Sequence, residues 1–282
     1  MKAIQVALYN DALKNFKGTE GVVACASARA LMVVKSNELI QKRMFDLTLE
    51  EQRLVLFALS KIRPDATSLA EPIEFSIREF CSVCGLSRYS YKGMRQFLKD
   101  TISKLATRNT WIENNGKKES LVLWINSEGR TEIDGDTAYL HFSSKMEPYL
   151  VCLKSFYTQY PLMNVLLLKS KYSIRLFELL ASFENQGTFN MSIEYLRKHI
   201  GATDVTYNNV TNFYRRILLP SIDEINRFTT LKIELFNLVK TGRKYTHIDF
   251  KVKELGGAER NKRIYAMNAA LNVKALNKAE EV

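Results

Sequence analysis

At 282 residues, 46% of them hydrophobic, the chain is long enough for two domains that each bury a core. Forty-one Lys and Arg against thirty Asp and Glu leave a formal charge of +11, which points to an anionic partner: nucleic acid, an acidic membrane face or an acidic protein. Four irregularly spaced cysteines make no disulfide framework, and the run from Val22 to Val34, broken by Arg29, is too short to cross a bilayer, which needs about 20 apolar residues, so a reducing cytoplasm is expected.

Residues 1–34 show weak helical periodicity and are read as an N-terminal arm. Thr48 with Glu51 three residues on forms a capping box, and Leu54, Phe57, Ala58 and Ile62 mark the core face of a helix that Pro64 ends. An extended piece, Ile73 to Ser76, leads to Ile77, Phe80 and Cys84, whose i, i+3, i+7 spacing gives a short helix one apolar face. Gly85 permits a tight turn. The next helix carries Met94, Phe97, Leu98, Ile102 and Leu105 inward, with Lys92, Arg95, Gln96 and Lys99 outward. Strand patterns follow at Thr110 to Glu113, Leu121 to Asn126 and Ala138 to Phe142. Asn115-Gly116 is a hairpin turn signal, with Lys117-Lys118 at its tip. A polar connection with Pro148 and Pro161 runs from Phe142 to Met163, and its Tyr149, Leu150 and Val151 leave open a packed helix within it.

The pattern then repeats. Arg175, Leu176, Leu179, Leu180 and Ser182 match Arg53, Leu54, Phe57, Ala58 and Ser60, while Ser192, Ile193, Gly201, Tyr207 and Phe213 match Ser76, Ile77, Gly85, Tyr91 and Phe97. Ile193, Leu196 and Ile200 form the second short helix. After Gly201 comes a helix with Val210, Phe213, Tyr214, Ile217 and Leu218 inward and Asn208, Asn209, Asn212, Arg215 and Arg216 outward. Pro220 predicts a kink, or a new helix with Ser221 and Asp223 in its first turn. Strand patterns at Leu231 to Val239 and Tyr245 to Val252 flank a tip of Thr241, Gly242, Arg243 and Lys244. Helix, strand, helix, helix and basic-tipped hairpin, twice over, predict an α+β fold of two tandem winged-helix domains related by internal duplication. The domains are expected at 35–158 and 159–255, with a tail over 256–282.

Asn pairs bidentately with adenine and Arg with guanine in the major groove, so Asn208, Asn209, Asn212, Arg215 and Arg216 are the expected base readers. The plain alternative is a solvated helix face. Lys92, Arg95, Gln96, Lys99, Lys117, Lys118, Tyr207, Thr211, Arg243 and Lys244 are expected on the DNA backbone, where basic groups position without reading sequence. Cys81-x-x-Cys84 lacks a second cysteine pair, and the only histidines are His141, His199 and His247, so it is read as core packing rather than metal. No G-x-x-x-x-G-K-[ST] loop and no His-x-His pair occurs, and the carboxylates are dispersed. Neither an enzyme nor a cofactor is expected.

Two stretches, VVKSNELIQKRMFDLTLEEQRLVLFALSKIRP and YNNVTNFYRRILLPSIDEIN, resemble the iteron-binding plasmid replication initiators of the Rep type, built from two winged helices. The first resembles the family's opening segment, in which an Asn-x-Leu element leads into a helix. The second resembles its C-terminal recognition helix, Arg216 included. The resemblance runs from about Val34 to Val252. It implies that the second domain reads origin direct repeats, and that the first contacts the adjoining backbone and forms the dimer contact. It also implies monomers on the repeats in equilibrium with a homodimer that binds an inverted repeat at the promoter and represses synthesis. Opening of an AT-rich segment follows, with recruitment of the host replication initiator and replicative helicase. A transcriptional regulator with no replication role, or a winged-helix module that binds protein, are the alternatives.

Overall fold

The chain is described from a computed structural model, which covers residues 25–42, 46–86, 91–114, 118–126 and 131–276. A helical turn over 25–30 leads into β1 (Met32–Ser36) and α1 (Asn37–Lys42), whose first turn is held by the Leu39 N–H donating to the Ser36 hydroxyl at 3.2 Å. α2 (Leu49–Ser60) starts on the expected capping box. The Glu51 N–H donates to Thr48 Oγ1 at 3.2 Å and the Thr48 N–H to the Glu51 carboxylate at 2.7 Å, which satisfies two donors that a helix start leaves open. β2 (Ile73–Ser76), α3 (Ile77–Val83) and α4 (Tyr91–Leu105) follow. The second unit repeats them as α7 (Lys171–Ala181), β8 (Thr188–Ser192) and α8 (Ile193–His199), and then a long helix over 210–228.

The duplication extends to individual hydrogen bonds. Ser76 and Ser192 each cap a seven-residue helix by accepting the N–H three residues on, from Glu79 and Tyr195. Gly85 and Gly201 take φ of 68° and 80°, a left-handed turn open to glycine without strain. Behind them the Leu86 N–H closes onto the Cys81 carbonyl at 2.7 Å and the Ala202 N–H onto the Arg197 carbonyl at 2.9 Å. Cys81 and Cys84 are buried, and burial pushes both thiols up to about 12, so they stay protonated and pack as small apolar groups.

The two wings differ. In the second unit β9 (Leu231–Thr241) turns into β10 (Lys244–Glu254), which pairs back onto β8, giving the order β8-β10-β9. Both strands run longer than the sequence pattern suggests. In the first unit the expected single hairpin is split. β3 (Asn109–Asn114) pairs with β4 (Lys118–Leu123), but the strand that returns to β2 is β6 (Thr137–Leu140), partnered by the three-residue β5 (Glu132–Asp134). The physical reason is that the chain leaves β4 to bury Trp124 and Ile125, with Ile125 bridging Phe142. Lys118 therefore opens β4 on a separate hairpin. Lys117 and the Asn115-Gly116 turn lie outside the described residues.

Between Phe142 and Met163 the helix that the sequence allows around Tyr149 and Leu150 forms as α5 (Glu147–Leu150), the unforeseen β7 (Tyr157–Pro161) follows, and α6 (Met163–Leu166) begins. β7 pairs antiparallel with β1, Met32 opposite Pro161, Val34 opposite Gln159 and Ser36 opposite Tyr157. Each unit thus opens with a strand and a short helix, and the two strands meet about a local two-fold at Val34 and Gln159. Beside them the Glu178 carboxylate accepts from the Tyr160 hydroxyl at 2.5 Å, from Arg175 at 3.2 Å and from the Lys35 ammonium. Arg175 also donates to the Ile40 carbonyl at 3.3 Å, and Tyr195 to the Gln41 carbonyl at 2.6 Å. Burial alone would raise the Glu178 carboxyl, but Lys35 and Arg175 more than offset it and hold the group below the usual range.

Past the second wing the tail forms α11 (Gly257–Leu276), burying Met267 and Leu271. Arg263 donates to the Asn226 and Thr229 carbonyls, and the Asn272 side chain accepts from Arg29 at 2.7 Å. Arg29, fully buried, also donates to the Val83 and Ser82 carbonyls at 3.1 and 3.2 Å. Arm and tail therefore meet over the end of α3. Among the described residues no helix is long and apolar enough to cross a membrane.

Candidate nucleic-acid interface

The long helix of the second unit has three parts: α9 (Val210–Phe213), a π-turn over Tyr214–Leu218, and α10 (Leu219–Phe228). Phe213, Ile217, Leu218, Ile222 and Ile225 are buried and fix its inner face. α10 begins at Leu219 with Pro220 and Ser221 in its first turn, the second of the two outcomes expected of the proline. The turn before it widens, with the Leu219 N–H reaching the Tyr214 carbonyl five residues back. A wider turn relieves the clash between the proline ring and the preceding turn that a regular helix would suffer.

Thr211, Arg215 and Arg216 are exposed on the outer face, and among the described residues no hydrogen bond or ion pair is found on either arginine. The three amides are each engaged within the chain. Asn209 is the helix N-cap, its Oδ1 accepting from the Thr211 N–H at 2.9 Å and the Asn212 N–H at 3.2 Å. Both lone pairs of that oxygen are used, so the bidentate adenine pairing expected of Asn209 is not open to it in this conformation. Asn208 lies before the helix, in a 3-10 turn over Val205–Asn208, and its Oδ1 accepts from Arg197 of α8. Asn212 is half-buried and donates to the Thr206 carbonyl at 3.3 Å, which leaves its oxygen available. Tyr207 is half-buried in the 3-10 turn, its ring edge-on to Tyr172 at 6.3 Å.

Arg243 and Lys244 are exposed at the β9–β10 tip, where the Thr241 and Thr246 hydroxyls are hydrogen-bonded at 2.7 Å. Lys240 lies 4.8 Å from the centre of the exposed Tyr245 ring. In the first unit Lys92, Gln96 and Lys99 are exposed on α4, and Gln96 donates to Asp100 at 2.8 Å. Arg95 is half-buried and donates to the Gly135 carbonyl in the β5–β6 turn, so it ties α4 to that wing. Sequence reasoning passed over Arg197, Lys240, Tyr245 and Val205, the last 80% exposed in the 3-10 turn. Their cue was faint: single residues off the helical stripe, beside turns whose geometry forms only in three dimensions.

This arrangement offers cations and amide edges on two helix-turn-helix units. Residues 32–181 match the family described as Initiator Replication protein, WH1, and residues 192–252 match Initiator Rep protein, WH2. The chain belongs to this replication initiator family. The first match runs through β7, α6 and α7, while α11 lies beyond the second. Among curated proteins, the "Probable replication protein rep" of Bifidobacterium longum (strain NCC 2705) is 25% identical over 182 residues, covering 64% of this chain. The matched region is 60% of that relative's own length. Among solved structures, "Crystal structure of Pi initiator protein in complex with iteron DNA" is similar at a TM-score of 0.59 and 20% identity. It covers 81% of this chain and 98% of the other, a likeness of fold. The two winged-helix domains that these matches give are the α+β tandem expected from the repeat.

Proposed function

We propose that this chain initiates plasmid replication by binding repeated double-stranded sites at an origin. The second winged helix reads base edges in the major groove and the first grips the adjoining backbone. The observation that carries this reading is the pair Arg215 and Arg216, exposed on a helix whose other side is sealed by Phe213, Ile217 and Leu218. Arginine forks read guanine, and a helix locked by its core holds them in place. Membership of the initiator family and the likeness in fold to Pi, solved with iteron DNA, support the same reading. Without a phosphate-binding loop in the sequence, strand opening would come from binding energy. Two modules on one chain raise each other's effective concentration, and several adjacent copies bend the duplex and strain its easily unstacked steps. In this scheme monomers occupy direct repeats in the cytoplasm, a homodimer represses the promoter through an inverted repeat, and the opened AT-rich segment receives the host replication initiator and replicative helicase.

The test is DNA affinity measured against salt on a duplex carrying the repeats. Contacts to about 6–10 phosphates predict a loss of roughly 10³–10⁵ in affinity between about 50 and 200 mM salt. A flat profile would remove DNA as the ligand and leave the protein-binding alternative. Replication of an origin plasmid with the protein supplied in trans separates an initiator from a plain transcriptional regulator.

A further inference from the structure

The 3-10 turn ahead of the long helix is tied down at almost every residue. The Asp204 carboxylate accepts the Thr206 N–H at 2.8 Å, and the Tyr207 N–H donates to the Asp204 carbonyl at 2.9 Å. The Thr206 carbonyl accepts from Asn212, and Asn208 is held by Arg197. Asp204, Thr206 and Asn208 are exposed as well, but they are polar and hydrogen-bonded, whereas Val205 presents an apolar side chain, 80% exposed. A β-branched residue is a poor choice for a helical turn, and the fold forgoes the gain that burying it would bring. One exposed valine is ordinary on a protein surface. A rigid mount at the leading end of a recognition helix is what distinguishes this one, because that end meets base edges in helix-turn-helix docking. The apolar group that the major groove presents is the thymine C5-methyl.

We infer that Val205 is a specificity-determining residue, seating its isopropyl group on the C5-methyl of a thymine at one position of the recognised repeat. This rests on the reading of the second winged helix as a reader of double-stranded DNA. The inference gives the site an apolar component beside the guanine-seeking arginines, and explains why the turn is braced so fully.

Full-length protein is used to select a preferred duplex from a random-sequence pool, and each thymine of that duplex is then replaced in turn by deoxyuridine, which removes only the methyl. At one thymine the replacement should weaken wild-type binding by about four-fold, the worth of one buried methyl-sized group. Val205→Ala should bind thymine and uridine alike at that position and keep the wild-type response at all others. Its unfolding midpoint should be unchanged, because the side chain is exposed. Coincident uridine profiles for the two proteins overturn the inference alone. A chain that selects no duplex overturns the DNA-reading proposal and this inference with it.

Discussion

Glu178 takes charge from both halves of the chain, Lys35 at the start and Arg175 one turn away, and the Tyr160 hydroxyl completes its shell. Its carboxyl is held below the ordinary value of 4.5, because two cations more than compensate for its burial. For a carboxyl whose folded value is depressed, the stabilisation is whole above the unfolded value and lost as pH falls through the folded one. Denaturant midpoints should therefore hold steady above pH 4.5 and drop below it, and Glu178→Gln should flatten that acid dependence. At neutral pH the same substitution strands Lys35 in a buried site and should cost about 3–5 kcal/mol. An unchanged acid limb in the variant would mean that Glu178 does not govern it. None of this was legible in the sequence, where Glu178 is one acid among leucines and its partner Lys35 is far away along the chain.

At the scale of elements, both helix-turn-helix units depend on one glycine each. An alanine at φ near 80° pays the left-handed penalty, so Gly201→Ala should lower stability by about 1–2 kcal/mol in equilibrium unfolding, with Gly85→Ala close behind at φ 68°. Wild-type stability in either variant would show that these turns tolerate a Cβ. These elements were legible because their signals are local: apolar residues at i, i+3, i+7 followed by glycine, then a second stripe. The π-turn was not, since proline predicts a disturbance without saying which form relieves it. The split first wing also escaped, because three residues of β5 are too few to carry a period. For the site, the outward placement of Arg215 and Arg216 was legible from the helical period. The capping role of Asn209 was not, because the helix start depends on a preceding 3-10 turn that the period does not mark.

Across the whole molecule, the units are joined by β1–β7 pairing and the Glu178 cluster, and clasped from outside by arm and tail. Arg29 is fully buried, satisfied by two carbonyls of the first unit and by Asn272 of α11. Asn272→Ala leaves one guanidinium donor without its partner and should cost about 1–3 kcal/mol, with faster amide exchange over α3. Unaltered exchange there would show that the tail does not brace the first unit. The amino-acid sequence by itself determined what depends on neighbours along the chain: two winged-helix units, their helices and turns, the basic balance and the outward arginines. Only the tertiary structure decided how those units meet, where the first wing divides and what the termini hold. Strand partners and buried ion pairs are chosen by surfaces that come together after folding, and no spacing within one segment encodes them.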